Sequence, residues 1–89
     1  MQFTWHEGKE RKSQKKHGVS FGEATTVFFG PLAETIPGPD HSVGEHRFLT
    51  MGRSSGGRLL VVSHAEEHDM IRMISARGAT RHERKSHES

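Results

Sequence analysis

The sequence predicts an α+β fold: a mostly antiparallel sheet of four or five strands, two helices in the N-terminal part and a short helix at the C-terminal end. Three observations carry this expectation. Leu59-Leu60-Val61-Val62 and Met70-Ile71-Arg72-Met73-Ile74 are short apolar runs separated by the polar Ala65-Glu66-Glu67-His68-Asp69, the pattern of two antiparallel strands and a loop. The stretch from His6 to His17 is rich in helix formers and stops at Gly18. Ser20-x-x-Glu23 and Thr80-x-x-Glu83 have the spacing of capping boxes, which open helices.

Taken in order, Met1 to Trp5 alternates, so Phe3 and Trp5 share the buried face of a first strand. The helix that follows holds no large apolar residue, so it lies on the surface, held at its ends by Trp5 and Val19. Lys9, Lys12 and Lys16 form a basic stripe along it. In the second helix, Phe21, Ala24, Val27 and Phe28 supply the core face, Val19 staples its start against Ala24, and Gly30-Pro31 ends it. Leu32–Ile36 reads as an edge strand and residues 37–42 as a rigid polar loop. Arg47–Gly52 is the next strand, and residues 53–57 make a hairpin loop into the central pair. Leu59–Val62 is apolar on both faces and belongs in the middle of the sheet. In the last strand Arg72 shares a face with Met70, Ile74 and Ala76 if alternation is regular. A guanidinium there is either paired with a carboxylate or lines an anion-binding face.

Eighty-nine residues make one domain over 1–89, and with 30% hydrophobic residues its core is small. The absence of cysteine excludes disulfides, thiolate catalysis and zinc–thiolate sites. No apolar run reaches the ~18–20 residues that span a bilayer, and the N-terminus has no signal-peptide core. A cytoplasmic protein without a membrane partner is therefore expected. The net charge is only +2, but it is unevenly spread. Acids cluster between Glu34 and Glu45 and between Glu66 and Asp69; bases cluster at Lys9–Lys16 and Arg72–Lys85. Two basic ends on a small domain point to a polyanionic partner.

Several segments then match a known pattern in register. They are Phe3-x-Trp5, Lys16-His17-Gly18-Val19-Ser20-Phe21-x-Glu23-Ala24, Arg47-Phe48, Gly57-Arg58-Leu59-Leu60-Val61-Val62 and Ile71-Arg72-Met73-Ile74-Ser75-Ala76-Arg77-x-Ala79-Thr80. Together they resemble the BrnT family of bacterial type II toxins over nearly the whole chain. The resemblance implies a RelE-like ribonuclease fold and a toxin that arrests translation by cutting RNA. It also implies a cognate antitoxin with a ribbon-helix-helix DNA-binding region, which neutralises the toxin and alone contacts operator DNA. The chain departs from the family pattern at Ser13 and Gln14, where an Asn and an aliphatic residue are expected, and at His87, where a tyrosine is expected. The first departure is expected to weaken the anchoring of the first helix.

Metal-independent RNA cleavage requires a base for the 2′-OH proton, an acid for the 5′-oxygen and cations around phosphorus. Arg72 and Arg77 are the candidate cations, because guanidinium forks match phosphate. Five residues apart, they lie on opposite faces of a regular strand and converge only if Arg77 has left it. Among the eight histidines, His17 beside Lys16 at a helix end leads the acid–base candidates, followed by His64 and His87. Lys9, Lys12, Lys16, Arg47 and Arg81 are the candidate RNA contacts. The pairs His64-x-x-x-His68 and His41-x-x-x-x-His46 resemble metal-ligand spacings, but neither sits in a helix as an i, i+4 pair requires, so no metal and no cofactor is expected. Three functions stay open: a ribonuclease toxin, a catalytically inactive RNA- or antitoxin-binding module of the same fold, and a metal-dependent hydrolase.

Overall fold

The computed structural model describes residues 1–38 and 46–88. Most of the expected polar loop after Gly38, with His41 of one histidine pair, lies outside them. The strands are β1 (Gln2–Trp5), β2 (Glu34–Pro37), β3 (Arg47–Arg53), β4 (Leu59–Glu67) and β5 (Met70–Gly78). The helices are α1 (Glu7–His17), α2 (Phe21–Thr26) and α3 (Arg81–Glu88), and α2 runs into a 3₁₀ turn at Val27–Phe29. The sheet order is β1-β5-β4-β3-β2. It is mixed rather than wholly antiparallel, because β1 lies parallel to β5, with Phe3 beside Ile71 and Trp5 beside Met73.

Central placement of the apolar run holds: Leu59, Leu60, Val61 and Val62 are at most 5% exposed. Both central strands are longer than the sequence patterns indicate. The polar stretch after Val62 continues β4 as far as Glu67, and only His68 and Asp69 turn the chain into β5. His68 takes a φ of 58°, the conformation such a two-residue connection demands. The edge strand is shifted from 32–36 to Glu34–Pro37, leaving Leu32 exposed.

One face of the sheet carries the core. Val19, Phe21, Ala24 and Val27 pack on Leu60, Val62, Met73 and Ala76, with Phe3, Trp5, Phe28 and Ile71 around them. Apolar burial of this kind is the main stabilising term. Ser20 caps α2 as expected, its hydroxyl accepting the Glu23 N–H at 3.1 Å. The Glu23 carboxylate is used elsewhere. It accepts from Arg58 Nε at 2.9 Å and Ser54 Oγ at 2.6 Å, so Arg58 first and Ser54 second hold its pKa down at about 2. Arg58 also donates to the Gly18 carbonyl, tying the end of α1, the start of α2 and the β3–β4 hairpin together. Near the end of β3, Gly52 allows a close approach, since a Cβ there would sit 3.1 Å from Val27 Cγ1 and 3.2 Å from Ala33, so those neighbours would have to shift.

Helix α1 is capped by the His6 ring, which accepts the Gly8 N–H, and by Gly18 at φ 71°. Its attachment differs from the expectation. Pairing with β1 ends at Met73, which leaves the outer edge of β5 open beyond that point. There α1 takes over: Ser13, its one buried residue, accepts the Ala76 N–H at 3.1 Å and donates to the Ala76 carbonyl at 3.3 Å. The departure at Ser13 thus keeps an anchor in the middle of the helix. Glu10 adds another by accepting the Phe21 N–H at 3.0 Å.

His64 lies in the core. It is 3% exposed, its Nε2 is 2.7 Å from Thr50 Oγ1, and the Phe28 and Phe48 rings pack on it at 4.9 and 5.8 Å. Thr50 in turn meets Thr35 at 2.8 Å, so a polar chain links three strands. Burial holds the imidazole in its neutral form, with a pKa lowered to about 4.

Two predictions arise. Ser13→Ala leaves a buried backbone N–H without its partner and should cost about 1–3 kcal/mol in urea unfolding. Ser13→Asn, whose amide both donates and accepts, should retain most of that stability; an unchanged midpoint for Ser13→Ala would refute the anchor. The second concerns pH. Above pH 6.5 neither state protonates His64. As pH falls from 6.5 towards 4 the unfolded chain takes the proton and the folded one does not, so stability should drop by up to about 3 kcal/mol. Glu23 and Glu83, lowered from 4.5 to about 2, begin to act only as pH falls towards 4.5, so the upper part of the window, from 6.5 to about 5.5, is dominated by the histidine. His64→Gln should flatten the stability profile there, and a variant that kept the slope would assign it elsewhere.

Candidate nucleic-acid interface

The face of the sheet opposite the core is set by an irregularity in β5. Ser63 pairs with Ser75, but His64 pairs with Met73, so Ile74 is an extra residue with no partner on β4. Such a bulge shifts the side-chain alternation by one. Before it, Ile71 and Met73 face the core; after it, Ala76 does. The other face therefore receives Met70, Arg72, Ser75 and Arg77, opposite Glu67, Ala65, Ser63 and Val61 of β4. This corrects the sequence expectation twice. Ala76 does not share the face of Arg72, and Arg77 converges with Arg72 while still inside the strand.

Across the neighbouring strands the same face reads Arg47-Ala65-Arg72, then Leu49-Ser63-Ser75, then Met51-Val61-Arg77. Ala65 is 1% exposed between the two arginine-bearing strands. Thr4 of β1 continues the first row beside Arg72. The result is a basic surface with two hydroxyls at its centre.

Both principal arginines have carboxylate neighbours. Arg72 Nε lies 3.4 Å from Glu67 Oε2, with the Arg72 side chain 28% exposed. Arg77 is gripped more firmly: its Nη1 and Nη2 donate to the two oxygens of Glu83 at 2.7 and 2.9 Å. Glu83 is fixed by the second capping box, which forms in full. Its carboxylate accepts the Thr80 N–H at 2.8 Å, and the Thr80 hydroxyl accepts the Glu83 N–H at 3.1 Å. Arg77 first, then the Thr80 backbone, hold the Glu83 pKa down at about 2, and Glu83 raises that of Arg77. Further along α3, Glu88 meets Arg53 at 3.2 Å, so two carboxylates tie a helix without any buried residue to the sheet.

The lysine stripe lines a groove. Lys9, Lys12, Lys15, Lys16 and His17 form its helical wall, and Ile74 and Ser75 of the bulge form the strand wall, enclosing about 750 Å³. Ser75 belongs to both the groove and the arginine face, which joins them. His17 is half-buried and lines this groove, whereas His64 is on the far side of the sheet. His87 is half-buried on α3, beside Arg53 and residues 30–33 rather than beside the groove. Arg81 is exposed at the start of α3. Among the described residues no three His, Asp or Glu side chains gather as a metal centre needs, and His64 and His68 are separated by burial and turn. Sequence reasoning missed Ser63, Ser75, Glu67 and Glu83. Only Glu83 had a signal, its capping-box spacing from Thr80, which spoke of helix geometry rather than of Arg77.

The fold agrees with what comparison finds. A family model described as the ribonuclease toxin BrnT of type II toxin–antitoxin systems matches residues 5–83. The crystal structure of the Brucella abortus ribonuclease toxin BrnT superposes with a TM-score of 0.70, covering 91% of this chain and 99% of that one. At 21% identity, this second likeness is one of fold. Among curated proteins no match is found. The family match takes in β1 from Trp5, both N-terminal helices, the whole central sheet and the start of α3. The chain belongs to the BrnT family of ribonuclease toxins of type II toxin–antitoxin systems.

Proposed function

We propose that residues 1–89 act as a single toxin domain, a metal-independent endoribonuclease whose reacting phosphate binds at the face carrying Arg72 and Arg77. The observation that supports this most is the bulge at Ile74, which brings two guanidinium groups to one side of one strand. Their place is where charge develops: as the 2′-oxygen attacks phosphorus, the phosphoryl oxygens gain negative charge that arginine stabilises. The 5′-oxygen leaves, giving a 2′,3′-cyclic phosphate and a free 5′-hydroxyl. His17, which lines the groove together with Ser75, is the first proton-transfer candidate, and His87, on α3 beside Arg53, the alternative. Lys9, Lys12 and Lys16, with Arg47 and Arg81, hold the flanking phosphates. The activity inhibits translation in the cytoplasm. A cognate antitoxin with a ribbon-helix-helix region neutralises it, and operator DNA is reached only through that antitoxin.

One observation favours a second reading, a catalytically inactive RNA- or antitoxin-binding module: both arginines are already near carboxylates. Cleavage decides between them. Arg72→Ala and Arg77→Ala should each lower the cleavage rate about 100-fold or more and abolish toxicity on induction. Melting curves are needed beside them, because both residues also make ion pairs. Lost cleavage with an unchanged melt supports the site; a folded Arg72→Ala protein that still cleaves RNA ends the proposal. If the wild type itself does not cleave in EDTA, the metal-independent reading fails.

The groove has its own test. Replacing Lys9, Lys12 and Lys16 together with Gln should weaken RNA binding and flatten the log–log salt dependence by about two, given some 0.7 per phosphate on a single strand. All three side chains are exposed, so the melt should hardly move. Unaltered affinity at low salt would return the stripe to a solvated helix face.

A further inference from the structure

Arg77 is engaged by a group that resembles the ligand proposed for it. Glu83 uses both carboxylate oxygens and occupies both Nη groups, the same fork with which arginine grips phosphate. A phosphate that binds Arg77 through that fork must first displace the carboxylate. Glu83 is built to stay charged, because Arg77 and the Thr80 N–H both stabilise its anion. It is also tethered, since α3 begins at Arg81, only four residues after Arg77. A tethered competitor acts at a high effective concentration against any single free anion. Arg72 meets a carboxylate too, its Nε 3.4 Å from a Glu67 that is 61% exposed, a longer contact than those between Arg77 and Glu83.

The two arginines stand on one face with their backbone positions about 13 Å apart, four paired positions at ~3.3 Å each. An isolated phosphate meets at most these two guanidinium groups, whereas a strand of a few nucleotides also reaches the lysine groove. Such a strand gains Arg72, Arg77 and the lysine groove together, and so can outcompete a carboxylate that an isolated phosphate cannot.

Resting on the assignment of RNA to the Arg72–Arg77 face, we propose that Glu83 is a specificity residue: an internal competitor that withholds Arg77 from isolated phosphates and yields it to a continuous RNA strand, with Glu67 acting likewise but more weakly at Arg72. The helix that carries Glu83 does not oppose the exchange with a buried side chain, because no residue of α3 is buried.

The test is the affinity of an uncleavable 2′-O-methyl RNA oligonucleotide, with inorganic phosphate as competitor at constant ionic strength. Glu83→Gln removes the charge while its amide oxygen still caps Thr80. It should bind the oligonucleotide about 2- to 5-fold tighter, the range for releasing one partly exposed ion pair, and become sensitive to inorganic phosphate. Glu67→Gln should show a smaller gain and, lying outside the cap, carries the same test if Glu83→Gln does not fold. Thr80→Ala loosens the helix start but leaves the Glu83 carboxylate charged and on Arg77, so it should give little or no gain. A Thr80→Ala gain equal to that of Glu83→Gln would overturn the proposal by tracing the effect to helix fraying. If Arg77→Ala weakens binding but Glu83→Gln does not tighten it, the competitor role alone is overturned. If Arg77→Ala leaves affinity unchanged, the RNA assignment of Arg77 falls and the competitor role falls with it.

Discussion

Strand β5 has to close a hydrophobic core on one side and present charge on the other, and strict alternation cannot do both with this sequence. Met73 and Ala76 are both fully buried although an odd number of positions separates them. The unpaired residue at Ile74 reconciles them by moving everything after it to the other side. Remove the irregularity and either Met73 leaves the core or Ala76 does, while one of the two arginines turns inward. Core packing and the basic face therefore depend on the same residue, which contributes neither charge nor a large part of the core.

The sheet edge is a second consequence of the same geometry. β1 pairs with β5 only up to Met73, and the strand continues beyond it. Exposed strand edges invite association with other chains. Here α1 blocks the edge, with Ser13 supplying side-chain hydrogen bonds where a neighbouring strand would supply backbone ones. A helix with no large apolar residue is thus held by polar contacts, and its lysines stay in solvent beside the bulge.

Much of this architecture was legible in the sequence. The apolar run at Leu59–Val62 marked the central strand, Gly18 marked the end of α1, and both capping spacings opened helices where they occur. What stayed hidden was long-range or depended on register. A bulge is a relation between two strands, so the period of β5 alone put Ala76 on the wrong face. The parallel partnership of β1 has no local signature. His64 read as a candidate proton carrier because a histidine at the end of a strand looks the same whether it faces water or the Phe28 and Phe48 rings. Ser13 looked like a loss because an alignment pattern does not show that one hydroxyl can do the work of an amide. Glu83 was seen as a cap, while its second role needed Arg77 to be placed in space.

The parallel pairing of β1 with β5 also constrains the order in which the chain can assemble. β3, β4 and β5 follow one another as an antiparallel meander with short connections, so their contacts form between near neighbours in sequence. β1 must wait for a partner nearly seventy positions away, as Gln2 beside Met70 shows. Contacts of such high sequence separation form late and slowly. The groove is made of α1 on one wall and Ile74 and Ser75 on the other, so it does not exist on a nascent chain until β5 has emerged from the ribosome. A chain of this topology lacks that groove for most of its own synthesis.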